Sequence, residues 1–164
     1  MTIAKQMLEE LKEEAQTTRK ILALVPHDKS DWKPHDKSMT MGNLSSHIAE
    51  IYGWTDLMVN ANELDFATMD YKPPVIESNA GLIELFEKGL KNAEEVLATA
   101  SDEQMAQPWT MRQGETIFFT LPKSVVLRTW VHNHIIHHRA QLGVYLRLQN
   151  IALPGSYGPT ADEM

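Results

Sequence analysis

From about Thr2 to Val25 apolar positions return every three or four residues, at Ile3, Met7, Leu11, Ala15, Thr18, Ile21 and Val25, with Glu and Lys between them. That period is the signature of an amphipathic helix with one core-facing stripe. Pro26 ends it, and the following PHDKSDWKPHDKSMT is rich in turn formers. Its HDKS tetrapeptide occurs twice, but four residues are too few to form a repeating structural unit. Thr40 can cap a second helix reaching about Asn60, on which Leu44, His47, Ile51, Trp54 and Met58 keep the same spacing. One member of that stripe is a histidine.

Residues 61–77 contain Asp65, Asp70, Pro73 and Pro74 and read as a long connection, of the kind that crosses a bundle or lines a site. Ser78 or Asn79 can cap a third helix, with Leu82, Phe86, Leu90, Ala93, Val96 and Ala100 as its apolar face and Gly89 as its one weak position. Between Pro108 and Leu121, β-branched and aromatic residues flank Gln113 and Gly114, which fits a short hairpin. Pro122 suits the first turn of a fourth helix running to about Asn150, with Leu127, Trp130, His134, His138, Gln141, Tyr145 and Leu148 on one face. The tail IALPGSYGPTADEM is too rich in Pro and Gly to be helical. Four long amphipathic helices predict an all-α fold: one antiparallel four-helix bundle spanning residues 1–164, its long second connection allowing a non-sequential crossover.

The 164 residues suffice for one core without staples. Fifteen Lys plus Arg against twenty-two Asp plus Glu leave a formal charge of −7 with no basic block, which argues against nucleic acid as a partner. No apolar run approaches a membrane span and the amino terminus carries no signal-like core, so a cytoplasmic protein without a membrane partner is expected. The chain has no cysteine, which excludes disulfides, thiolate metal sites and a cysteine nucleophile. Any metal must therefore be held by His, Asp or Glu.

Four of the seven histidines fall between His132 and His138. On a helix, residues four apart stand on one face with Cβ atoms about 6 Å apart, so the imidazoles of His134 and His138 can converge on one ion. The stripe from Leu127 to Leu148 turns that pair inward, leaving His132 nearly opposite and His137 on a flank. His47 is a third inward histidine. Three neutral imidazoles with no fourth protein ligand make an open, catalytic type of metal site. The same residues also fit a bundle with hydrogen-bonded core histidines and no metal. No H-E-x-x-H pattern, catalytic triad or phosphate-cradling loop is present. Glu50, one turn beyond His47, is the one candidate catalytic carboxylate, as an acceptor behind a ligating imidazole or as a proton shuttle, unless it is merely a solvated surface residue; Asp56 stands under the same alternative. Gln141 continues the histidine stripe and could orient a ligand. Trp54, Trp130 and Tyr145 share these faces and read as core.

A histidine in the second of four helices followed by N-H-x-x-x-H-R-x-Q in the last resembles the DinB-like (DinB/YfiT-like) superfamily of bacterial metal-binding bundles. NHIIHHRAQ, residues 133–141, is the most specific piece; DWKP, SMTMGNLSSHIAE and PGSYGP are also similar to that family. The resemblance implies an up-down-down-up bundle, a divalent ion, nickel or zinc, on His47, His134 and His138, and a homodimer. It also implies a small-molecule substrate: relatives include transferases that join low-molecular-weight thiols such as bacillithiol to electrophiles, and maleylpyruvate isomerase-like proteins that use mycothiol or glutathione. A metal-dependent thiol S-transferase or hydrolase is thus the expected function, with a non-catalytic metal- or small-molecule-binding stress protein as the alternative. Ala140 replaces the glycine of the usual H-R-G-Q, which could shift a neighbouring helix but removes no ligand.

Overall fold

Hydroxyl side chains start four of the helices. Thr2 accepts a hydrogen bond from the Lys5 amide (3.3 Å), Thr40 from Asn43 (3.2 Å), Ser78 from Gly81 (3.1 Å) and Ser101 from Gln104 (3.2 Å). Each satisfies a first-turn N–H that the helix itself leaves unpaired. The computed structural model describes residues 1–164, and the helices so capped are α1 (Ile3–Ala23), α2 (Met41–Ile51), α4 (Asn79–Thr99) and α5 (Asp102–Ala106). The others are α3 (Trp54–Asn60), α6 (Lys123–Leu127) and α7 (His134–Leu148); a π-helical segment, Arg128–Asn133, joins the last two into one unbroken run.

Helix α1 packs on α4 and α7, and α2 packs on the same two. The cyclic order is therefore α1, α4, α2, α7, and the first two long helices of the sequence face each other across a diagonal. This is a non-sequential four-helix bundle. The expected stripes fill its centre: Met7, Leu11, Ala15 and Ile21 of α1, Leu82, Phe86 and Leu90 of α4, and Leu44 and Ile51 of α2 are all buried. Removing the apolar surface of each of the larger side chains from water stabilises the fold by about 1.5–3 kcal/mol.

The sequence pattern and the structure differ at four places. The helix expected from Thr40 to Asn60 is two helices, broken at Tyr52 and Gly53. The break lies where α4 comes closest: a Cβ on Gly89 would stand 2.9 Å from the Gly53 nitrogen. Gly89 is thus a backbone contact point between helices and not a weakness of α4. Pro122 precedes the last helix instead of occupying its first turn, and the helix itself carries the π segment. The short α5 gives no amphipathic signal because it spans a single turn and a half.

Finally, the fold is not purely helical. The hairpin is present as β2 (Pro108–Gln113) and β3 (Thr116–Pro122), turned at Gly114 with φ +58°, as a two-residue turn with glycine first requires. A third strand, β1 (Glu63–Asp65), comes from the long connection and pairs parallel to β2, with Leu64 opposite Met111. Arg112 clamps it by donating to both Glu63 carboxylate oxygens (3.1 and 2.7 Å), and the Gly114 amide donates to Asp65 (2.9 Å). The small sheet thereby pins the start of the long connection beside the hairpin.

Candidate metal centre

Thr40 sets where α2 begins, and seven residues later His47 emerges on the side of the helix facing α7. His134 and His138 leave α7 one turn apart, and one ring nitrogen from each of the three residues lies within 4.8 Å of the others. His47 Nε2 and His134 Nε2 face each other at 3.3 Å.

Each Nδ1 has its own acceptor. For His47 it is Glu50 Oε1 at 3.0 Å, for His134 the Trp130 carbonyl at 3.2 Å, and for His138 Gln141 Oε1 at 2.7 Å. These acceptors keep a proton on Nδ1, so all three Nε2 atoms present lone pairs to one point. Two facing lone pairs at 3.3 Å repel unless a cation lies between them. A proton is poorly suited: burial, reinforced by the neighbouring His138 and His47, pushes His134 down to about 4. Burial lowers His138 as well, against the hydrogen bond it donates to Gln141. Burial thus holds His134 and His138 as neutral imidazoles, the form that binds a metal ion.

The donor set fits such an ion. Three nitrogen ligands suit zinc, nickel or copper, and no fourth His, Cys, Asp or Glu joins the group, so a coordination position stays open to a small molecule. That position borders a cavity of about 670 Å³ reached by His47 and His134. Trp54 stands 5.3 Å from the His47 ring and 5.6 Å from His134, and Trp130 stands 6.0 Å from His134. Behind them Phe119 stacks on Trp130 at 5.9 Å. The hairpin is therefore part of the site wall.

The histidines do not lie at the centre of the apolar stripes, as their periodicity implies. The buried line of the last helix is Val131, Ile135, Arg139, Leu142 and Leu146, one residue on from His134 and His138. That of α2 is Leu44, Ile48 and Ile51, and the His47 side chain keeps 21% of its surface exposed. The three histidines occupy the flank where two helices meet, which gives them both burial and access.

The other candidates separate clearly. Glu50 is no solvated surface residue: its side chain is 11% exposed, and besides the bond from His47 its two oxygens share the Tyr71 hydroxyl proton, at 2.8 and 2.9 Å. Asp56 accepts from Asn60 (2.7 Å) and stands apart from the cluster. His132 is a core histidine at 3.0 Å from the Met7 carbonyl, and His137 is exposed. Tyr145 donates to the Met39 carbonyl (3.2 Å) and packs edge-on against Trp32, away from the triad. Arg139 is buried and ties α7 to α1 and the tail, donating to Thr18 Oγ1 (3.2 Å), the Glu14 carbonyl (3.0 Å) and Tyr157 (2.9 Å). The HRAQ and PGSYGP segments therefore meet in space. Ala140 is exposed, so its methyl obstructs no helix contact.

Pattern reading missed Leu57 of α3, Leu64, Phe66, Met69 and Tyr71 of the long connection and Met111 and Phe118 of the hairpin, which complete the cavity wall. Their trace in the sequence is an unusual apolar content for a connection, Phe66, Met69, Tyr71 and Val75 within ten residues.

The DinB family model matches residues 1–164. Solved structures repeat the fold. A DinB-like protein from Bacillus subtilis superposes with a TM-score of 0.71 at 17% identity, covering 92% of this chain and 96% of that one. A DinB-like protein from Bacillus cereus gives 0.69 at 23% identity over 92% and 95%. A DinB family member from Exiguobacterium sibiricum gives 0.69 at 22% identity over 100% and 99%. No curated protein matches the sequence. No helix is long and apolar enough to cross a membrane. A match along the whole length, on a bundle whose HRAQ helix and second helix converge three imidazoles, places this chain in the DinB family.

Proposed function

We propose that the protein is a metal-dependent thiol S-transferase, joining a low-molecular-weight thiol such as bacillithiol to an electrophile. The observation that carries this reading is an open three-imidazole site whose free side borders an apolar cavity. A divalent ion, zinc or nickel, held by His47, His134 and His138 would supply the positive charge that favours thiolate over thiol at neutral pH. With no cysteine in the chain, the sulfur has to arrive with the substrate. The protein's own residues do the rest. Glu50, Gln141 and the Trp130 carbonyl hold the imidazoles in register, and the Trp54 and Trp130 rings exclude water beside them. His47 and Tyr71 also line a second, polar recess with Asn43, Ser46 and Glu50, giving two approaches to the same histidine. Glu50, at 3.0 Å from His47 Nδ1, is the group placed to take up a proton. A homodimer working in the cytoplasm, where such thiols are kept reduced, belongs to the same proposal.

A binding protein without turnover is the second reading. It is favoured by one observation: the only carboxylate beside the triad, Glu50, is already engaged by His47 and Tyr71.

The test begins with metal content by mass spectrometry on untagged protein, beside the triple variant His47→Ala, His134→Ala, His138→Ala. About one ion per chain in the parent and none in the variant is expected, followed by thiol conjugation by the loaded parent alone. An intact site without conjugation would favour the binding protein; no metal uptake from nickel or zinc would remove both readings.

A further inference from the structure

We infer that the cavity beside the triad takes an uncharged molecule with an aromatic or aliphatic body, its single polar group directed at the histidines. This deepens the function proposed above and rests on it for the identity of the polar end. None of the residues lining the 670 Å³ space is Lys, Arg, Asp or Glu. Apart from the indole N–H groups of Trp54 and Trp130, its polar side-chain atoms are those of His47, His134 and Tyr71, and they gather at one end, because Tyr71 and His47 share Glu50 and His134 adjoins His47. The opposite wall is apolar, with the Phe66 and Phe118 rings 6.2 Å apart and Met69 and Met111 completing it.

A second observation points the same way. Phe66, Met69, Tyr71 and Phe118 are between 38% and 52% exposed although each is large and apolar in body, and all four border this one cavity. Solvent-facing apolar side chains gathered around a concavity mark a surface that a ligand covers. The charge of that ligand follows from the walls. A charge of either sign on the body of the molecule, away from the histidine end, would lose its hydration against these walls without meeting a counter-charge. Methionine and aromatic walls adapt to flat or irregular apolar shapes, which suits a two-ring body in a space of this size.

The experiment is isothermal titration at pH 7.5 with 2-naphthol, 6-hydroxy-2-naphthoate and 6-(aminomethyl)-2-naphthol, on metal-stripped and zinc-loaded protein. 2-Naphthol is expected to bind saturably in both forms, and each charged analogue at least about tenfold more weakly, the desolvation of an unpaired charge setting that scale. Two variants on one exposed strand keep folding out of the result. Phe118→Glu should weaken 2-naphthol at least about tenfold, and Ile117→Glu, which is 61% exposed and borders no part of the cavity, should leave it unchanged, both with parental circular dichroism. Absence of 2-naphthol binding to the folded parent, equal binding of either charged analogue, or equal effects of the two substitutions would overturn the inference. Because the stripped protein is included, failure of the metal or thiol reading shows in metal content and conjugation, and failure of this one shows in the titration.

Discussion

Replacing Gly89 by alanine should destabilise the protein, although alanine is the better helix former. The new Cβ would lie 2.9 Å from the Gly53 nitrogen and 3.3 Å from Tyr52 Cβ, and neither is the far end of a flexible side chain that could swing aside. Relief requires α4 to move away from the α2–α3 break, an overpacking cost of about 1–3 kcal/mol. Against it stands the intrinsic gain of about 1 kcal/mol for Gly→Ala inside a helix. The net expectation is a loss of up to about 2 kcal/mol, or a Tm lower by up to roughly 8 °C for a chain of this size. Gly143 supplies the control, since it sits inside α7 and an added Cβ there meets nothing within 4 Å. Gly143→Ala should therefore gain about 0.5–1 kcal/mol. Urea unfolding followed by circular dichroism reads both, with an unchanged m-value showing that the transition itself is the same. Gly53 leads directly into Trp54 at the metal site, so Gly89→Ala should also weaken zinc binding, which Gly143→Ala should not. If the two variants shift stability by the same sign and size, the close approach of α4 to the break is not what glycine serves at 89.

Gln141→Leu removes the acceptor from His138 Nδ1 and should lower zinc affinity about 10–100-fold, measured by chelator competition; an unchanged affinity would show that Gln141 does not orient the ring. Zinc at about 100 times its Kd should raise the unfolding free energy of the parent by about 2.7 kcal/mol, and that of the triple histidine variant not at all. The metal-free protein should lose stability in acid. Burial holds His132, His134 and His138 below the ordinary 6.5, so the unfolded chain takes up protons that the folded chain refuses. Stability is thus full above about 6.5 and falls as pH drops toward 4, and a urea midpoint that stays flat between pH 7.5 and 5 would refute the assignment.

The bundle was legible because its helices carry their own punctuation. Thr40 and Ser78 cap helices where the sequence offers them as caps, and the α1 and α4 stripes are buried almost residue for residue. The features that escaped are those decided by contacts distant in sequence. Strand β1 has three residues and exists only because β2 offers it a partner some fifty residues away. The break after Ile51 depends on Gly89 of another helix, and a glycine that serves as a contact surface reads, from its own helix alone, as a defect. Neither signal lies within the window over which hydrophobic periodicity is read.

The triad was legible for a different reason, and only up to a rotation. His134 and His138 are four residues apart and His47 shares their period, so their meeting follows from helix geometry once α2 and α7 are neighbours. Yet a helix that carries both a core line and a ligand line shows one broad apolar face. On α7 the two lines differ by a single residue, Ile135 beside His134 and Arg139 beside His138, which is about 100° of rotation. Chemistry resolves what periodicity blurs. A ligand line buried at the centre would have Nδ1 facing apolar side chains, whereas at the flank Glu50, the Trp130 carbonyl and Gln141 can each reach one ring and the cavity can reach the ion position. The residues that make the flank work are a glutamate that reads as surface, a main-chain oxygen and a glutamine, and two of those three belong to the same turns as the histidines they hold. On this argument, His-x-x-Glu on α2 and His-x-x-Gln on α7 are the informative units of the site. An apolar residue at either acceptor position should leave the bundle folded and the metal loosely held.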